Sequence, residues 1–452
     1  MLSRRKFIKR AIGSTLAMGS YATLGLQLSA AKAFASQTRF DDYKAIVCVF
    51  LYGGNDSFNM LVPTDEQEYQ AYQQTRQQLA YSRESLISLP LSQQAELSPH
   101  GMPASMQSLA SIFEQGDLSV LSNIGPLVEP VTKQQLTNNP DLLPPLLFSH
   151  NSQQSLWQSG QMKTQAVTGW LGTMADLMQD TNTTLPTTFS ISNNGLLTSG
   201  TQSQALVLNS TGPEAFGALD ANNSADEWRI AAFERLQEQT KSPLDREYAK
   251  RTGLARANNQ LVQAALDTMP QRTTAYPSNN SLANELKMVA DLISVQSALS
   301  QQRQLFFVSL GGWDTHDAQV TAHPQLLSTL SEALAAFNAD INMQNKGEEV
   351  TTVTLSEFGR TLTSNGDGTD HGWAGHQLAM GGAVNGGKVL GYLPQQRIGT
   401  NDDIGDGRII PSTSIEQLGA DLASWYGLSD NEIAAVFPNL DRFDSGALKL
   451  FT

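Results

Sequence analysis

Apolar residues fall along this chain in short unbroken runs separated by longer stretches of helical spacing. Ala45 to Tyr52 reads AIVCVFLY, apolar on both faces, and empties into Gly53-Gly54-Asn55-Asp56-Ser57. Such a run predicts a central parallel strand covered by helices on both sides. Leu118 to Ile124, Leu305 to Leu310 and the β-branched Val350 to Leu355 predict further strands, with shorter ones at Thr187 to Ser192 and Lys388 to Pro394. Between them Met106, Leu109, Ile112 and Phe113 recur at helical spacing, and Leu282 to Leu299 reads as an amphipathic helix. A long helix is expected from His323-Pro324 to Ile341, and a closing one from Ile415 to Trp425 with Gly427 as its C-cap. Strand and helix alternating in this way predict an α/β fold with a mostly parallel central sheet and helices on both faces.

The polar stretches complete the picture. Residues 64–98 are rich in Gln and read as surface helix and loop. Residues 193–280 are rich in Asn, Ser, Thr and Gly, with helical stretches at Glu227 to Gln239 and Arg246 to Met269, and hold no His or Cys. They are expected to form an insertion or cap that shapes access to the sheet. No internal repeat is visible. At the amino terminus Ser3-Arg4-Arg5-Lys6-Phe7 precedes a moderately apolar stretch, Ala11 to Leu28, and small-residue processing sites at Ala31 to Ala35. This reads as a twin-arginine export signal over residues 1–33, leaving 34–452 as one domain outside the cytoplasm, in the periplasm or at the cell exterior.

Charge sharpens this. The chain carries a net charge of −14, and losing six positive charges with residues 1–33 takes it to −20. Nucleic acid is therefore excluded as an expected partner. Cys48 is the only cysteine, so neither an internal disulfide nor a cysteine metal cage can form. No second apolar stretch reaches spanning length, so no stable membrane span is expected after processing.

The chemistry gathers where strands end. The three exits carry Asp56, then Asp314 and His316 in GGWDTH, then Glu357 and Arg360 in SEFGR, with Asp370, His371 and His376 following closely. In extended backbone Asp314 and His316 point to the same side. Carboxylate with neutral imidazole is the ligand set of Zn²⁺, Mn²⁺ and related divalent ions, and the carboxyl ends of parallel strands are where ligands bind. A turn-capping role would explain any one exit; three in one chain favour a metal site. Ser149 and Ser152 precede a helical stretch, Gln153 to Gln158, where a hydroxyl is either an N-cap or a nucleophile beside the helix dipole. Arg360 is a candidate anion clamp, with pairing to an acid as its alternative role.

These residues resemble a known family. LYGGNDSFNMLVP (Leu51 to Pro63), Ser149-His150, GWLG (Gly169 to Gly172), GGWDTH, SEFGRT (Ser356 to Thr361) and TDHGWAGH (Thr369 to His376) are similar to the twin-arginine-exported bacterial family catalogued as domain of unknown function 1501, across essentially the whole mature chain. That family is grouped by resemblance with the alkaline phosphatase and sulfatase superfamily. The resemblance implies an alkaline phosphatase-like fold, a divalent metal (Zn, Mn, Mg or Ca) and hydrolysis of a small anionic phosphate or sulfate ester. Carried over, Asp56 takes the first ligand place, Ser149 the nucleophile, Asp314 with His316 the second pair, and Asp370, His371 and His376 the last group. Where the superfamily has Asp-His after a strand this chain has Glu357-Phe358, so Glu357 replaces the Asp and one histidine ligand is lost. The formylglycine sulfatase signature is missing. The competing expectation is an inactive exported protein of the same fold that binds a protein partner or polymer at the cell surface.

Overall fold

The structure, a computed structural model, describes residues 39–452 apart from 92–93, 95, 179–184, 192–194, 215–218, 220–223 and 240–241. The expected export signal, residues 1–33, lies outside the described residues. The chain divides into two units, residues 1–41 with 180–182, and 42–179 with 183–452; every element below belongs to the second.

In chain order the strands are β1 Lys44–Leu51, β2 Val62–Pro63, β3 Leu86–Ser88, β4 His100–Pro103, β5 Leu118–Gly125, β6 Thr188–Ser190, β7 Leu206–Val207, β8 Arg303–Leu310, β9 Val350–Leu355, β10 Gly375–Met380, β11 Lys388–Leu390 and β12 Thr413–Ser414. The helices are α1 Glu66–Arg76, α2 Gln107–Gln115, α3 Lys133–Asn138, α4 His150–Ser159, α5 Trp170–Leu177, α6 Glu227–Gln239, α7 Pro243–Leu266, α8 Ser281–Ser294, α9 Gln319–Met343, α10 Ile415–Tyr426 and α11 Asp430–Val436.

The main sheet runs β11-β5-β10-β9-β1-β8-β6-β7, with β12 also on β5. β1 pairs in parallel with β8 and β9, and β10 alone runs antiparallel to its neighbours β5 and β9. The fold is thus α/β with a mostly parallel sheet. β1 shows why both faces must be covered. Ala45, Val47, Val49 and Leu51 join a core with Leu109 and Phe113 of α2, Leu286 and Val289 of α8, and Leu334 and Phe337 of α9. Ile46, Cys48 and Phe50 alternate to the other face, where α10 packs on β1 with Leu418 and Leu422 buried outside that core. Burying each such side chain contributes about 1.5–3 kcal/mol.

Two differences from expectation have tertiary causes. The long helix α9 begins at Gln319, so Pro324 lies inside it. The extra turn is held from outside: Gln319 N–H donates to Asp367 O (3.1 Å), and the His323 ring meets Asn55 Oδ1 (3.1 Å). In the separate sheet β2-β4-β3, β3 falls within residues 64–98, read as surface helix and loop, and β2, β4 and β10 answer to no expected strand. Within residues 193–280, β7 extends the sheet edge beside β6, and α6 packs with α7.

Candidate metal centre

Strand register brings the chemistry to one edge. Leu51 stands opposite Leu310, and Phe50 opposite Leu355, so three parallel strands end at one level. Their exits are then tied together. Tyr52 N–H donates to Leu310 O (3.0 Å) and Trp313 N–H to Tyr52 O (3.1 Å). Ser356 Oγ donates to Leu51 O and accepts from Asn55 N–H, both at 2.9 Å. Gly53 sits at φ +124, where a Cβ would come 2.3 Å from Asp314 N, and Gly54 at φ +82 would meet the Phe358 ring at 2.2 Å. Only glycine allows this approach. Past Glu357 the chain doubles back, with Gly372 N–H on Gly359 O (2.8 Å) and an antiparallel bridge between Arg360 and His371. The amino end of α4 delivers His150 from elsewhere in the chain.

Three imidazoles converge there on Asp314. His150 Nδ1 donates to Glu357 Oε1 (2.9 Å), His371 Nδ1 to Phe148 O (2.8 Å) and His316 Nδ1 to Asp370 Oδ1 (3.2 Å). All three acceptors lack a proton to give, so each Nδ1 carries the hydrogen and, in a neutral ring, each Nε2 a lone pair. Those Nε2 atoms lie 3.4, 3.3 and 3.1 Å from Asp314 oxygens, for His150, His371 and His316 in turn. His316 Nε2 and His371 Nε2 are 2.9 Å apart. Acceptors packed this closely repel unless a proton or cation lies between them. One ligand atom from each of His150, Asp314 and His371 lies within 4.8 Å of the others. The donor set therefore fits a divalent ion of the zinc type.

The surroundings hold this set in place. Glu357 is fully buried; its Oε1 also accepts from Gly53 N–H and Gln154 Nε2, both at 2.9 Å, so it orients His150 from behind. The Glu357 hydrogen bond raises the His150 pKa, whereas burial lowers that of His371. The Phe358 ring lies against both imidazoles, with centroids 4.9 Å from His150 and 4.4 Å from His371. Burial works to raise the Asp314 pKa, but hydrogen bonding and charge from Arg360 outweigh it and hold the carboxyl below its usual range.

The expected site residues divide into three groups. Asp314, His316 and His371 come together, with Glu357 and Asp370 behind them as acceptors. Arg360 occupies a different place from that of an anion clamp: it is fully buried, bonding Asp314 Oδ1 (3.0 Å), Gly53 O (3.3 Å) and Thr369. Its planar fork is consumed by these hydrogen bonds, one of them to Asp314. Asp56 and His376 stand outside the group. The Asp56 carboxylate is buried against Arg76 and Gln319. His376 lies inside β10, accepts from Asn123 N–H (3.2 Å), packs edge-on to Phe58, and is pushed by burial down to about 3. Ser149 is the exposed N-cap of α4 with no capping hydrogen bond, whereas Ser152 is buried in the helix. Trp313 and Trp373 are core residues. The imidazole that sequence reasoning passed over is His150, which joins Asp314 and His371 in the group that could hold a metal ion; its signal was adjacency to Ser149 at a helix start.

Fold and site together define an α/β protein with a histidine–carboxylate centre at the carboxyl edge of its parallel strands. The chain belongs to the family described as Protein of unknown function (DUF1501), whose pattern matches residues 43–435. No curated protein matches it. Among solved structures it is similar to the C-terminal periplasmic domain of EcEptC from Escherichia coli in complex with Zn, at 12% identity over 86% of this chain and 84% of that one, TM-score 0.33. It is also similar to the PsFucS1 sulfatase from Pseudoalteromonas sp., at 9% identity over 92% of this chain and 73% of that one, TM-score 0.36. A mutant of TAB5 alkaline phosphatase with Mg bound aligns at 10% identity over 88% and 98%, TM-score 0.29. Likeness at this level transfers no activity. Among the described residues no helix is long and apolar enough to cross a membrane.

Proposed function

We propose that this chain is an exported, divalent-metal-dependent hydrolase of phosphate or sulfate esters, with His150, Asp314 and His371 as ligands, His316 as a further donor and Ser149 as nucleophile. One observation carries the reading: three imidazoles, each committed through Nδ1 to an acceptor, turn their Nε2 atoms on one carboxylate. An acceptor behind each ligating imidazole fixes its tautomer and raises its basicity. A divalent ion held there neutralises charge on an ester's equatorial oxygens and lowers the pKa of a neighbouring hydroxyl. Ser149 Oγ would attack the phosphorus or sulfur from the amino end of α4, whose first-turn N–H groups favour the anionic substrate. The ester's P–O or S–O bond would break, its alcohol leaving with the serine proton, and water would then release phosphate or sulfate and restore the serine. Export rests on residues 1–33, with Arg4 and Arg5 at their head.

The mature protein should carry about one equivalent of Zn, Mn, Mg or Ca, and His150→Ala or His371→Ala should leave under about a tenth with the circular dichroism unchanged. Ser149→Ala should keep the ion while aryl phosphate or sulfate hydrolysis drops at least ~100-fold. Equal rates would remove Ser149 from the mechanism. Under about a tenth of an equivalent in the wild type removes the enzyme reading and leaves the partner-binding protein of the same fold. A milder change probes the support: Glu357→Gln keeps the volume but weakens the grip on His150, and metal affinity should fall about 10–100-fold. Unchanged affinity there would show that Glu357 does not orient a ligand.

A further inference from the structure

A row of buried polar side chains reaches the Asp314 carboxylate from the interior. Arg360 Nη1 donates to Asp314 Oδ1 (3.0 Å), the oxygen that also faces His316 and His371, and so leaves Oδ2 to His150. Thr369 grips the same guanidinium twice, its carbonyl accepting from Nη2 (2.5 Å) and its hydroxyl from Nε (3.2 Å). The hydroxyl then donates to Gln319 Oε1 (2.7 Å), and Gln319 Nε2 donates to Asp56. Arg360, Thr369, Gln319 and Asp56 are each at most 1% exposed.

The two ends of the row fix every proton between them. A guanidinium only donates, and a carboxylate paired with Arg76 only accepts. Thr369 Oγ must therefore accept from Arg360, which leaves its one hydrogen for Gln319 Oε1, and Gln319 turns its NH₂ to Asp56. With one arrangement open to it, the row holds the guanidinium in place, and the guanidinium holds Asp314. Thr369 is the member that also ties the backbone of the centre together. It directly precedes Asp370 and His371, and its N–H donates to Thr315 O (3.2 Å), between Asp314 and His316. Loss of Asp56 would leave the bonds from Arg360 to Thr369 and from Thr369 to Gln319 intact.

We propose that Thr369 is a positioning residue for the metal centre, its hydroxyl setting the Arg360 guanidinium and thereby the Asp314 carboxylate. This role presupposes His150, Asp314 and His371 as ligands. Thr369→Val keeps the shape of the side chain but strands Arg360 Nε and Gln319 Oε1 in the interior. A metal ligand that loses its outer support binds less tightly.

Calorimetric titration of the metal-free mature protein with Zn²⁺, alongside urea unfolding, tests it. Thr369→Val should bind Zn²⁺ about five- to tenfold more weakly, and Thr369→Ser, which restores the hydroxyl, within about twofold of the wild type. Thr354→Val supplies the comparison. The Thr354 hydroxyl, equally buried in β9, donates to Gln377 Oε1 (3.2 Å) and accepts from Leu378 N–H (2.8 Å), so its loss should lower stability without changing Zn²⁺ affinity. Thr369→Ala, which gives water room beside the stranded groups, keeps the test open if Thr369→Val does not fold, and should weaken Zn²⁺ binding at least ~3-fold. Unchanged affinity in the Thr369 variants, failure of Thr369→Ser to restore it, or an equal loss in Thr354→Val would overturn the proposal and leave the ligand set standing. Absence of Zn²⁺ binding in the wild type would instead remove the ligand set, and the role of Thr369 with it.

Discussion

Asp56→Ala should lower the unfolding free energy by about 3–5 kcal/mol and leave the metal content of the mature protein where it was. The Asp56 carboxylate is fully buried and meets Arg76 Nη2, while the same guanidinium donates to Asn59 Oδ1 (3.2 Å), Thr361 O (2.9 Å) and Leu362 O (3.3 Å). Removing the acid strands a cation inside the protein, and that penalty exceeds what the pair itself contributes. Asp56→Asn should cost less, because the amide oxygen can still accept from Arg76 and Gln319. Urea unfolding measures the first effect and metal analysis the second. If Asp56→Ala instead strips the metal as Asp314→Ala does, at little cost in stability, Asp56 is a ligand and the centre extends beyond His150, Asp314 and His371.

The contrast between Asp56 and Asp314 marks what the sequence could tell. Both follow buried strands, and both strand ends were legible from unbroken apolar runs and glycine exits. Their convergence followed from parallel pairing, which apolarity on both faces implies. That Asp314 meets histidines while Asp56 is closed off by Arg76 was not legible, since Arg76 lies in a Gln-rich stretch whose pattern is that of a surface helix. Its guanidinium nevertheless enters the core, because α1 ends against the loop after Glu357. His376 misled for the same kind of reason: it sits near Asp370 and His371 in the chain, but strand pairing at β10 turns it into the interior. His150 was hidden by distance along the chain, since a lone histidine at a helix start carries no periodic signal. Glu357 was read as a ligand; three hydrogen bonds occupy its Oε1, while its Oε2 is buried with no partner among the described residues. Residue types at the strand exits suggested a shared site; tertiary packing decided which side chains meet there.

A second large effect should appear on raising the pH. Glu416 lies fully buried in the first turn of α10, and neither carboxylate oxygen has a hydrogen-bond partner of good geometry among the described residues. Burial pushes its pKa up to about 7, with Ser414 and Asn439 offsetting part of the shift. The amino end of a helix favours an anion by only about 0.3–1 kcal/mol, so desolvation wins. Because the folded pKa stands above the unfolded one, the native state holds this proton longer. The stability it contributes is complete below about pH 4.3 and is lost as pH rises through 7, a total of about 4 kcal/mol at about 1.4 kcal/mol per pH unit. Glu416→Gln keeps the volume and removes the titration. Urea unfolding should find the variant about 4 kcal/mol more stable than the wild type near pH ~8 and equal to it near pH ~4. Parallel pH profiles in the two proteins would mean that Glu416 reaches solvent or a cation when ionised, and that its burial costs nothing.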